Sequence, residues 1–143
     1  MYKFSFKKDT HQDLINTLSI CFEDFHQRNI NSLNNSILIH NYRLGKILKE
    51  NLDQDNKKNI NYLSNIIVSE FDSSYTSKMV KMCIKFYEMF DDESKINYGL
   101  SWPYYVFILD LDDIDMRLRL LKECVDNSLS LHQLKVKIKE VKK

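Results

Sequence analysis

Only two glycines and one proline punctuate the 143 residues of this chain. Strand-rich folds turn tightly and often, and such turns draw on residues that reach positive φ or fix φ in advance. A chain so poor in both is expected to be all-α, a compact bundle of about six to seven helices. Apolar residues at 43 % beside charged residues at 29 % supply a core and argue against disorder. One domain, residues 1–143, fits this length, and it needs neither a disulfide nor a metal to fold.

Apolar residues recurring every three or four positions place the helices. The first is expected over about 10–28, capped by Thr10, with Leu14, Leu18, Cys21, Phe22 and Phe25 on one side. Asn29 to Ser32 closes it and caps a second helix, Leu33 to Leu52. Gly45 lies inside that helix at a cost of about 1 kcal/mol relative to alanine, so another backbone is expected to pack closely against it. A third helix, capped by Asp55 or Asn56, buries Ile60, Leu63, Ile67 and Phe71. After the polar stretch 72–75, Thr76 or Ser77 opens a fourth through Phe90, with Met79, Cys83, Phe86 and Phe90 inward. Two helices joined by a short polar turn are the minimum of a helix-turn-helix. Ser101 and Pro103 start a short helix, Trp102 to Leu109. Another runs from Asp113 to Asn127, its first turn acidic as the helix dipole prefers. In the last, Ser130 and Gln133 have the spacing of a capping box, and Leu131, Leu134, Ile138 and Val141 line one side.

Several chemistries lack their residues. Cys21, Cys83 and Cys124 are odd in number and widely spaced, which predicts reduced core thiols rather than disulfides or a zinc site. His11, His26, His40 and His132 have no ligand spacing, and Asp110, Asp112, Asp113 and Asp115 read as helix-capping carboxylates rather than a Mg²⁺ site. No glycine-rich phosphate loop or nucleophile elbow occurs. The expectation is a non-enzyme without cofactor or metal. Met1 to Lys8 lacks the apolar run of a signal peptide and no stretch suits a membrane span, so the expected compartment is the cytoplasm.

From the second helix onward the motifs resemble the N-terminal helical domain of the YhcG family, bacterial proteins in which this module usually precedes a PD-(D/E)XK nuclease domain. Tyr42-Arg43-Leu44-Gly45 matches an aromatic-x-aliphatic-Gly step. Thr76 to Phe90 matches a helix ending in Phe-Tyr. Leu100-Ser101-Trp102-Pro103-Tyr104-Tyr105 is similar to the signature Leu-Ser-Trp-x-x-Tyr. Arg117 and Leu129-Ser130-x-x-x-Leu134 follow at the expected distances, so the resemblance covers about residues 30–140. Leu129 departs from the family's usual Trp, and Arg119-Leu120 from an aromatic pair. Nothing supplies the nuclease carboxylates and lysine in order, so that activity is not carried over. The resemblance implies a helix-turn-helix-like module that engages DNA or a partner, with Gly45, Trp102, Tyr105 and Arg117 structural.

The net charge of +1 conceals two patches: residues 91–126 carry nine acids and four bases, and residues 130–143 five lysines against Glu140. On the fourth helix Lys78, Lys81 and Lys85 fall within about 60° of one another, opposite the apolar stripe. With Ser77 they form the expected contact with double-stranded DNA, where ammonium groups release condensed counterions. A merely solvated lysine face has the same pattern. Lys135, Lys139 and Lys142 offer a second basic contact, or the ordinary cationic end of a helix. Trp102, Tyr104, Tyr105 and Phe107 suit core packing better than base stacking. The leading expectation is a non-catalytic DNA-binding regulator, from a mobile genetic element. The alternative is a protein-interaction module, such as a subunit or inhibitor of a nuclease complex. A homodimer through the first helix is compatible with either.

Overall fold

The computed structural model describes residues 5–27, 33–52 and 59–142. In chain order these form α1 (Ser5–Gln27), α2 (Leu33–Asn51), α3 (Ile60–Glu70), α4 (Ser77–Met89), α5 (Trp102–Leu109), α6 (Ile114–Asp126) and α7 (Leu131–Lys142). A single 3-10 turn, Glu93–Lys95, precedes α5, and no strand occurs among the described residues. The chain is all-α, as the shortage of glycine and proline requires.

Local chemistry sets most helix ends. Thr76 caps α4 by accepting from the Met79 amide, and Asp113 caps α6 by accepting from the amides of Asp115 and Met116. The capping box at α7 is complete: the Ser130 amide donates to Gln133 Oε1 at 2.8 Å and the Gln133 amide to Ser130 Oγ at 3.1 Å. Two starts differ from expectation. Helix α1 begins at Ser5, so Thr10 lies inside it. Helix α3 begins at Ile60 and is capped by Asn59, whose side chain accepts from the Tyr62 amide. The caps expected at Asn29 to Ser32 and at Asp55 or Asn56 lie outside the described residues.

Helices α2 and α4 are the spine, and each has two apolar faces. Leu44 and Leu48 of α2 join Val80, Cys83 and Ile84 of α4 in one core, which α1 completes with Leu14, Leu18 and Phe22 and α3 with Leu63, Ile66 and Ile67. Leu38 and Tyr42 of α2 join Met82 and Phe86 of α4 in a second core, completed by α5, α6 and α7 through residues such as Tyr105, Ile108, Leu120 and Leu134. The spine crosses at Gly45, where a Cβ would lie 2.0 Å from the Cys83 carbonyl oxygen. The missing side chain is what lets two backbones touch there.

Tyrosine hydroxyls tie the loops to this frame. Tyr75, in the α3–α4 turn, donates to Asn41 Oδ1 on α2 at 2.7 Å, and its carbonyl accepts from the Ser64 hydroxyl at 2.8 Å. Tyr105 donates to the Asn97 carbonyl at 2.7 Å and accepts from the Asn97 amide at 3.1 Å. Burial pushes the Tyr75 and Tyr105 hydroxyls far above their ordinary range, so both remain donors at any working pH. Arg117 is buried and its Nε donates to the Leu111 carbonyl at 2.6 Å, holding the α5–α6 turn against α6.

Helix α6 ends in a Schellman arrangement, with the Leu129 amide donating to the Cys124 carbonyl at 3.2 Å and Ser128 held at φ 49°. A side chain in that left-handed well costs about 1–2 kcal/mol, which glycine avoids. Ser128→Gly is therefore expected to stabilise the fold by about 0.5–1 kcal/mol after its larger unfolded-state entropy is deducted. Thermal unfolding should rise by about 2 °C, and a fall would show that the Ser128 side chain contributes more than its backbone costs.

Candidate nucleic-acid interface

The exposed side of α4 is narrow, because α2, α3 and α5 pack around the rest of the helix. Lys78 and Lys81 are exposed on it. Lys85 is half-buried, and its Nζ donates to the Leu109 carbonyl at 3.5 Å, which corrects the expectation that all three ammonium groups point fully outward. The physical reason lies in tertiary packing: α5 ends beside α4, and its terminal carbonyl attracts the nearest cation. The Ser77 hydroxyl is turned toward α3, donating to Asn61 Oδ1 at 2.6 Å.

The end of α5 also joins the two basic patches that the sequence kept apart. Lys142, at the end of α7, lies 2.6 Å from Asp110, the residue that follows α5. The hydrogen bond from Lys142 holds the Asp110 carboxyl below its ordinary value against the raising effect of partial burial; the charges of Lys142, Lys78 and Lys85 act in the same direction. One carboxylate thus faces cations from both α4 and α7. Lys135, two turns before Lys142, sits 4.9 Å from the centre of the Phe107 ring on α5, and Lys139 between them is exposed. Lysines of α4 and α7 therefore flank the C-terminal half of α5 as one cationic edge.

Other candidates are structural or self-neutralised. Trp102 packs its ring 5.1 Å from Phe86 and Tyr105 is fully buried. The Tyr104 hydroxyl donates to the Leu129 carbonyl at 2.9 Å, so little of this cluster is free to stack on a base. A groove of about 480 Å³ lies between Tyr42, Arg43, Lys46, Tyr87 and the acidic segment 91–94. Its Arg43 is bound to Glu93 through two nitrogens and to Asp24 at 3.1 Å, so its charge is already matched. No group of three His, Cys, Asp or Glu side chains able to hold a metal occurs among the described residues. Cys83 and Cys124 are buried, and burial raises both thiols above their ordinary value; half-buried Cys21 lies 3.7 Å from His40 Nδ1. Sequence reading missed Asp110 as the junction, because its partners lie on helices distant in the chain. No described helix is long and apolar enough to cross a membrane.

Fold and edge together define an all-α bundle whose surface lysines gather beside one helix end. The chain belongs to the DUF1016 N-terminal domain family, whose model matches residues 17–142. This is the YhcG-type helical module to which Tyr42–Gly45 and Leu100–Tyr105 point, and the match begins inside α1, ahead of the first of those motifs. Comparisons with curated proteins and with solved structures return no match.

Proposed function

We propose that this chain is a non-catalytic DNA-binding or DNA-associated regulatory protein, with α3 and α4 as a helix-turn-helix-like pair and double-stranded DNA held on the cationic edge. The observation that carries the reading is the meeting of two basic helices at the end of α5, where Lys142 of α7 lies 2.6 Å from Asp110 and Lys85 of α4 lies 3.5 Å from the Leu109 carbonyl, with exposed Lys78 and Lys81 continuing the strip along α4. A phosphate backbone is a row of anions, and each ammonium that meets one releases a condensed counterion. Side chains suited to reading base edges are scarce on this strip, so the contact is with phosphates and is sequence-tolerant. Lys85 contributes charge while bracing α5, and Lys78 and Lys81 carry the direct contacts.

Duplex binding measured at low salt and across a salt series tests this. The parent should bind with an affinity that falls as salt rises. Lys78→Glu/Lys81→Glu should abolish most binding at low salt and flatten the salt dependence by about two contacts' worth. Asp110→Asn removes the competing carboxylate and should strengthen binding. A parent that ignores duplex DNA, or a double variant that binds as the parent does, overturns the proposal. The competing reading, a partner met through the acidic segment and the aromatic cluster, has less support because Tyr105 is buried and Trp102 packs on Phe86.

A further inference from the structure

The apolar side of α1 is spent inside the bundle, where Leu14, Leu18 and Phe22 are buried. Helix α6 is different. It turns Arg117, Leu120 and Cys124 inward, with Met116 packed against the same core, yet four more of its apolar residues form a second strip. Ile114 is 60 % exposed, Leu118 45 % and Val125 42 %, with half-buried Leu121 between the last two. Their spacing is four, three and four residues, the repeat of a coiled-coil seam, and the strip lies about 100° around the helix from the buried face. Exposed apolar residues scattered singly need no explanation, but three in heptad register, joined by the outer side of Leu121 where it leaves the core, form a continuous contact surface.

We propose that this strip is a self-association face on which α6 pairs antiparallel with α6 of a second copy, independently of any DNA contact. The charges beside the strip select both the occupant and the direction. Asp115 and Lys122 occupy equivalent flanking positions, one near the start of the helix and one toward its end. A two-fold axis between Leu118 and Leu121 stacks Leu118 on Leu121 of the partner subunit and Ile114 on Val125 of the partner subunit. The same axis sets each Asp115 beside Lys122 of the partner subunit, so the surface is complementary to itself, as an isologous interface must be. Antiparallel helix dipoles add to this arrangement. Lys122 is 77 % exposed and already holds Asp126 at 3.0 Å within its own helix, a surface pair that a second acid can share. The other flank is closed by buried Arg117 and Cys124, so the second copy approaches from the Asp115–Lys122 side. A seam of one short helix belongs with small, reversible interfaces rather than obligate dimers.

Sedimentation velocity from low micromolar to submillimolar concentration tests the inference. The natural chain should pass from monomer to dimer over that range, and Leu118→Asp should remain monomeric with an unchanged helical circular dichroism spectrum. Asp115→Lys and Lys122→Glu should each weaken the dimer by about tenfold, since each sets two like-charged pairs across the axis. The double variant should restore it. Both charge reversals sit at exposed positions, so they keep the test sharp if Leu118→Asp fails to fold. A monomer at every concentration overturns the proposal. A dimer indifferent to Leu118→Asp, or one that the double reversal fails to restore, overturns the antiparallel α6 seam.

Discussion

Gly45→Ala is expected to cost about 4 kcal/mol or more, enough to leave a domain of ordinary stability largely unfolded on moderate warming. The added Cβ would meet the Cys83 carbonyl oxygen at 2.0 Å, the Cys83 carbonyl carbon at 2.7 Å and Tyr87 Cβ at 2.9 Å. Two of those three atoms are backbone, and the third is fixed to it, so no side-chain rotation can clear the space. Relief requires α2 and α4 to part, and because each contributes to both cores, separation loosens every helix at once. Alanine returns about 1 kcal/mol of helix propensity, which does not offset the loss. Gly99→Ala is the control: its Cβ would meet only Asn97 Oδ1 at 3.0 Å, the end of a side chain that can shift at the expense of its 2.8 Å bond from the Gly99 amide, and about 1 kcal/mol is expected. Thermal unfolding of the two variants should separate by 10 °C or so. Equal midpoints would mean that the close approach of the two helices is not what requires glycine at residue 45.

The need for glycine at that crossing was legible because its cost is local and its compensation must be a near neighbour. The same holds for Asp113, for the Ser130–Gln133 box and for Pro103 in the first turn of α5, since each acts within four residues of itself; Ser101 takes the N-cap position there without a side-chain cap bond. Reading failed at two kinds of place. Polar α1 residues before Leu14 carry no apolar rhythm, so the extension back to Ser5 left no trace in the pattern. Contacts between distant segments were also invisible: Lys85 bends to the Leu109 carbonyl and Lys142 to Asp110 only once α4, α5 and α7 meet. Each lysine set is legible in the sequence, but their meeting at the end of α5 is a property of packing. The outer strip on α6 was hidden for a related reason, because apolar residues on a helix are assigned to a core until a structure shows which of them face water.

The division into two cores predicts that damage to one will not spread evenly. Phe86 is fully buried on the α5 side of the spine, with ring centres 4.9 Å from Tyr105, 5.1 Å from Trp102, 5.6 Å from Phe90 and 6.1 Å from Tyr42. None of these partners belongs to α1 or α3. Phe86→Ala is expected to cost about 3–5 kcal/mol through lost burial, the cavity left behind and the edge-to-face contacts that go with the ring. Collapse into that cavity is hindered because Tyr105 is pinned to Asn97 and Tyr42 to the Phe90 carbonyl at 2.8 Å. Hydrogen exchange on the variant should therefore show amides of α5, α6 and α7 losing protection first, while those of α3 follow only at global unfolding. Ile67→Ala, fully buried in the opposite core, should give the reverse order. If both variants lower protection uniformly along the chain, α2 and α4 transmit the damage completely and the two cores are one cooperative unit. A graded response instead means that either half can loosen while the other holds, so the surface that carries Asp110, Lys142 and the α6 strip can be disturbed without unfolding the α1–α3 core.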